Sequence, residues 1–198
     1  HVQRQALERL GDLAYVEKDH PTAHRYYRDA LGMAQTSAAG AATICGLLQR
    51  LALNLEQAGD VAKAQECWER AVAHIHQMED VSEDSEAVSD VLTRYAAFSA
   101  RHQPAKVKPL IEQALRIQQK AYRGYSMAAA RSYEVFAGFM ADMQQHVAQE
   151  QHLRQALLLV QVCDPDNAKH IAQLKSAIAA AHRAAAPGAI PILDQEVA

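Results

Sequence analysis

Leu48 to Ala71 reads LQRLALNLEQAGDVAKAQECWERA. As two antiparallel helices hinged at Gly59-Asp60, it sets Leu48, Leu51, Ala52 and Leu55 of one helix against Ala64, Trp68 and Ala71 of the other, because residues three and four apart share a helix face. Small residues stand where two backbones come close, and large ones where a gap has to be filled. The same alternation predicts further helix pairs on either side.

Upstream, Leu10 and Gly11 are followed by a turn near Lys18-Asp19, then by a second helix opened by Pro21 and carrying Ala23, Tyr27 and Ala30. Proline suits a first helical turn, where its missing N–H would have had no partner. Downstream, a third unit carries Leu92, Arg94, Tyr95 and Ala96, a turn at His102-Gln103-Pro104, and then Val107, Ile111 and Ala114. Pro109 falls inside its second helix, which must start late, near Lys108, or be distorted in its first turns. A fourth unit has Tyr133, Phe136 and Ala137, a hinge at Gln144-Gln145-His146, then Gln149, Leu153 and Ala156, with Gln149 where the others place a small residue. Cys163-Asp-Pro-Asp-Asn167 ends that helix and begins another, predicted over about Pro165 to Ala185. That helix has the composition of a cap. From Pro187 to Ala198 the chain cannot continue as helix, and an extended tail is expected, with Ile190, Ile192 and Leu193 docked in a groove.

Leu-Gly followed by alanine, an aromatic and alanine resembles the tetratricopeptide repeat. The equivalent alanines Ala30, Ala71, Ala114 and Ala156 recur at steps of 41, 43 and 42 residues, against about 34 for the commonest form. The longer step is similar to the subclass found in kinesin light chains and in many bacterial scaffold proteins. The resemblance implies an all-α, right-handed solenoid of four helix pairs plus a C-terminal capping helix, with residues 3–186 as the solenoid domain and 187–198 as its tail. The function so implied is a non-catalytic protein or peptide binding scaffold. The alternative is an oligomerisation or sensor module whose groove holds its own or a neighbour's tail.

One recurrence goes beyond packing. The segment L-x-R-[LY]-[GA] at Leu7–Gly11, Leu48–Ala52 and Leu92–Ala96 brings Arg9, Arg50 and Arg94 to one position of three first helices, where the fourth unit has Val135. The resemblance implies that this position, with those four before and three after it, lines the concave groove. Of that stripe, Arg9, Asp12, Arg50, Leu53, Asp90, Arg94, Ala97 and Arg131 are the candidate partner-binding residues. A ladder of guanidinium groups suits an acidic extended peptide, because the planar fork donates paired hydrogen bonds to carboxylates. The alternative is that each arginine pairs with an acid of the neighbouring unit. The asparagines with which chaperone-binding relatives clamp a peptide C-terminus are lacking, since Asp12, Leu53 and Ala97 stand at the relevant positions.

Charge excludes other classes. The net charge of −3 gives no positive footprint for nucleic acid. It hides an acidic stretch from Glu56 to Asp90 and a basic one from Arg101 to Arg131, which invite attraction between repeats or steering of a charged partner. No metal site is expected. His74 and His76 point apart on a helix, His20 and His24 flank a turn, and an EF-hand count from Asp80 meets Ser85 and Val91 where glycine and glutamate are needed. No cofactor is expected either, since no nucleotide fingerprint occurs and Leu47, not lysine, follows Gly46. No G-x-S-x-G or H-E-x-x-H occurs, and no enzymatic role is read.

Cys45, Cys67 and Cys163 are too widely spaced for a disulfide framework or a zinc site, so buried thiols in a reducing, cytoplasmic compartment are expected. The apolar runs are too short to span a bilayer, and the polar N-terminus has no leader pattern. The first residue is His1 rather than Met, from which a piece of a longer chain is expected.

Overall fold

A computed structural model describes residues 2–37, 39–78 and 85–185. Among the described residues there are nine α-helices and no strand: α1 (Val2–Val16), α2 (His20–Thr36), α3 (Ala41–Gln57), α4 (Val61–His76), α5 (Ser85–His102), α6 (Val107–Tyr122), α7 (Met127–Asp142), α8 (His146–Cys163) and α9 (Ala168–Ala185). The chain divides into two compact units, His1–Val91 and Leu92–Ala198. Each is taken by itself below.

Three helix pairs turn in the same way. Lys18, Gly59 and Gln144 adopt left-handed backbone at φ of 62°, 85° and 57°, and the amide one residue later reaches back over the turn, Asp19 N to Ala14 O, Asp60 N to Leu55 O and Gln145 N to Met140 O, at 2.8–2.9 Å. These are Schellman closures, which satisfy carbonyls that a helix end otherwise leaves unpaired. The side chains of Asp19 and Asp60 then cap the next helix by accepting from Thr22 N and Lys63 N. Side-chain hydrogen bonds from Thr22 and Lys63, followed by those backbone bonds, hold both carboxyls below the usual aspartate range. The equivalent residue of the third turn, Gln103, is extended at φ −146°, as a residue before proline must be. A short 3-10 turn, Pro104–Lys106, carries the chain into α6. Helix α6 therefore starts at Val107, and Pro109 lies in its first turn, where no hydrogen bond is lost.

In the first unit, Tyr27 of α2 and Trp68 of α4 are buried between small residues. Tyr27 packs so closely on α1 that a Cβ built at Gly11 would lie 2.5 Å from its ring, which is why that position is glycine. Ala23, Ala30, Ala64 and Ala71 are fully buried, at the spacing the sequence predicts. Asn54, also fully buried, ties the α1–α2 turn to α3: its Nδ2 donates to His20 O and its Oδ1 meets His20 Nδ1, both at 2.9 Å.

In the second unit, Ala129, Ala130, Ala137, Leu153, Ala156 and Val160 form one core with Leu174, Ile178 and Ala181 of α9. Helix α9 starts at Ala168, later than the sequence expectation of Pro165, because Asn167 Oδ1 accepts from His170 N and stops the helix from extending backwards. It covers the end of the α7/α8 pair with apolar residues and turns Lys169, Lys175 and Arg183 to solvent. The expected tail, Pro187 to Ala198, lies outside the described residues, as does most of the acidic loop, residues 79–84.

Candidate partner-binding face

The first helices of the pairs carry the candidate residues. In the first unit, Asp12 Oδ1 of α1 accepts from Tyr27 OH at 2.8 Å and from Arg50 Nε of α3 at 3.0 Å. The phenol anchors the carboxylate from below, and burial with the Asp12 contact drives the Tyr27 pKa upwards, so it stays a donor. Gly46 lies one turn before Arg50, and a Cβ there would be in ordinary van der Waals contact with Arg50 Nη1 at 3.8 Å. Arg50 thus pairs with an acid of the preceding unit, as the alternative to a free ladder requires. The pair is nevertheless open to water, its side chains 37% and 48% exposed. Arg9 is exposed and, among the described residues, in no ion pair. Leu53 and Asp90 are half-buried, and Asp90 Oδ2 accepts from Gln49 Nε2 at 3.4 Å.

In the second unit, Arg94 is exposed, while Ala97 and Arg131 are half-buried. Thr93 Oγ1 and Ser132 Oγ share a buried hydrogen bond of 2.7 Å, and Ser132 Oγ donates on to Ala128 O. Glu134 meets His170 of α9, Oε1 to Nε2, at 3.1 Å.

These contacts expose a register that sequence reasoning missed. Gln49, Thr93 and Glu134 each precede the Arg50, Arg94 and Val135 position by one residue, and each reaches the next first helix, at Asp90, Ser132 and His170. Helix α9 therefore stands where a fifth first helix would. The available signal was an unbroken polar position, Glu8, Gln49, Thr93 and Glu134, beside the more conspicuous arginines. In the first unit Glu8 pairs within its own helix, with Arg4.

Helix α9 is held by a second such contact, His182 Nδ1 to Glu150 Oε2 at 3.0 Å. Burial raises the Glu150 pKa, but hydrogen bonds from Arg154 and His182 outweigh it, leaving the carboxyl below its ordinary range. Cavities of about 310 to 370 Å³ lie beside Arg4 and Thr43, beside Arg116 and Tyr133, and between α7, α8 and α9. No cluster of metal-ligating side chains occurs among the described residues, and no helix among them is long and apolar enough to cross a membrane. Cys45 and Cys67 are buried as expected, and burial raises the Cys67 pKa. Cys163, expected to be buried, is exposed, because it ends α8 on the side away from the core.

The fold is that of the tetratricopeptide repeat, an all-α helical repeat in its long-period form. It is similar to the crystal structure of BtubC (BKLC) from P. vanneervenii, with a TM-score of 0.76 and 20% identity over 91% of this chain and 72% of that one. The TPR2AB-domain:pHSP90 complex of yeast Sti1 aligns at 17% identity over 90% of this chain and 86% of that one, with a TM-score of 0.36, too low to bear on this fold. No protein-family model matches the sequence, and no curated protein matches it.

Proposed function

We propose that this chain is a non-catalytic scaffold that holds an extended, acidic peptide or protein segment along its first helices. The observation that carries the reading is the Asp12–Arg50 pair. It is oriented from below by Tyr27, is about half open to water, and shares its unit with the exposed cation of Arg9. Such a surface offers preset donors and a fixed apolar neighbour, Leu53, at little cost in ordering. A reducing compartment, the cytoplasm, belongs to this reading, since all three thiols are free and Cys163 is exposed.

The test is Arg9→Glu with Arg50→Glu, followed by capture from a library of acidic peptides. Capture falls tenfold or more, while the melting midpoint hardly moves, because exposed ion pairs contribute only about 0.2 to 1 kcal/mol. A destabilised double variant that still captures acidic peptides sinks the reading.

A second reading, self-association, has one observation in its favour. Leu10 and Leu13 of α1 are exposed, whereas their equivalents in α3, Leu51 and Asn54, are buried. Light scattering decides it, a monomer at all concentrations ruling it out.

A further inference from the structure

The fourth helix pair departs from the others at the point where α7, α8 and α9 surround a cavity of about 310 Å³. Two departures from the repeat create it. Gln149 occupies the position that buried Ala23 and Ala64 hold in the first unit, and its Oε1 is drawn to the start of its own helix by His146 Nδ1 at 3.2 Å. Gly138 presents no side chain, and a Cβ built there would meet nothing within 4 Å. The space is therefore left open by the chain rather than filled by it.

Its lining is chemically one-sided. Leu153, Leu174 and Ala177 form apolar walls, and the polar groups are Glu134, Gln149, His170 and Gln173. Among the described residues no lysine or arginine lines it, so an anion would meet no fixed positive charge from them. The carboxylate of Glu134 is incompletely satisfied. Its Oε1, shielded from water, lies 3.1 Å from His170 Nε2, while Oε2 makes no hydrogen bond among the described residues and the side chain as a whole remains 32% exposed. A slot with aliphatic walls and one carboxylate fits an alkyl stem ending in a cation.

We propose that this cavity is a lysine-accepting subsite. The four-carbon stem of a lysine lies between Leu153 and Ala177, and its ammonium donates to Glu134 Oε2, with the Gln173 amide oxygen as a second acceptor. The subsite rests on the peptide-binding reading and adds to it that a partner carries a lysine at the segment meeting α7, α8 and α9, whatever its acidity elsewhere.

The probes are N-acetyl-lysine N-methylamide and its norleucine analogue, titrated against the isotopically labelled chain. The lysine compound shifts the Gly138 and Gln173 resonances, and norleucine, with the stem but not the charge, binds roughly fivefold or more weakly. Glu134→Gln removes that preference, and Gly138→Leu, which fills the cavity, removes binding of both, each with a cooperative melt near the wild-type midpoint. Equal binding of the two compounds, lysine binding unchanged in Glu134→Gln, or no shift up to the solubility limit of the lysine compound overturns the proposal. Capture of acidic peptides that depends on Arg9 and Arg50, together with lysine-compound binding unchanged in Glu134→Gln, keeps the scaffold and removes the subsite. Lysine-dependent shifts with no such capture do the opposite.

Discussion

The α3/α4 and α7/α8 hairpins turn through the same left-handed residue and the same reach-back hydrogen bond, yet they fill the space between their helices differently. In α3/α4 a single indole, Trp68, is wholly buried, as are Ala52 and Ala64. In α7/α8 the equivalent large residue is Leu153, the small position is Gln149, and the remaining room becomes a cavity beside Gly138. Backbone closure is thus insensitive to how the interior is filled. The packing differs because an aromatic ring spans the gap that a leucine leaves, and the second unit recovers core from α9 instead.

The strongest way to break this comparison is truncation of both large residues. Trp68→Ala should cost about 3 to 5 kcal/mol, since removing a wholly buried indole leaves a cavity. Leu153→Ala should cost only about 2 kcal/mol, near the lower limit for leucine, because Leu153 already borders an open cavity. Urea unfolding of both variants measures the difference, and equal costs would mean that the two interiors are equally well packed.

The shared turn offers a smaller and sharper test. Gly59→Ala should cost about 1 to 2 kcal/mol from backbone strain alone, since a Cβ at Gly59 meets nothing within 4 Å. Gln144→Gly should gain about 0.5 kcal/mol, the relief of strain slightly exceeding the added freedom of the unfolded chain. Opposite signs at two equivalent positions are the expected result in thermal melts.

The smallest effect separates the hairpins by pH. His152 of α8 lies against Phe136, ring centroids 4.5 Å apart, and burial lowers its pKa below the ordinary 6.5. The lowered value means that its contribution is complete above the unfolded pKa and is lost as pH falls through the folded one. Below about pH 6 the wild-type midpoint should therefore fall more than that of His152→Phe. Identical pH profiles for the two proteins would show that His152 titrates alike in the folded and unfolded chain.

Much of the fold was legible because it is written locally. Helix periodicity, the turns at Lys18-Asp19 and Gly59-Asp60 and the small residues Ala23, Ala30, Ala64 and Ala71 all act within one pair of helices. Lys18 and Gln144 were harder to read as left-handed residues, since neither is the glycine or asparagine that usually marks that conformation. The arginine stripe was visible as a recurrence, but its bonding was not. The Asp12–Arg50, Thr93–Ser132 and Gln49–Asp90 contacts join residues 38, 39 and 41 positions apart. Which polar atom meets which at that distance depends on how one helix pair seats on the next, to within a few ångströms. The same holds for the space beside Gly138. By itself the sequence determined the helices, their turns and the repeat, because those follow from torsion preferences and periodicity over short stretches of chain. Tertiary structure alone decided which charges pair, which thiol is exposed and where a cavity stays open, because those depend on side chains brought together from separate helices.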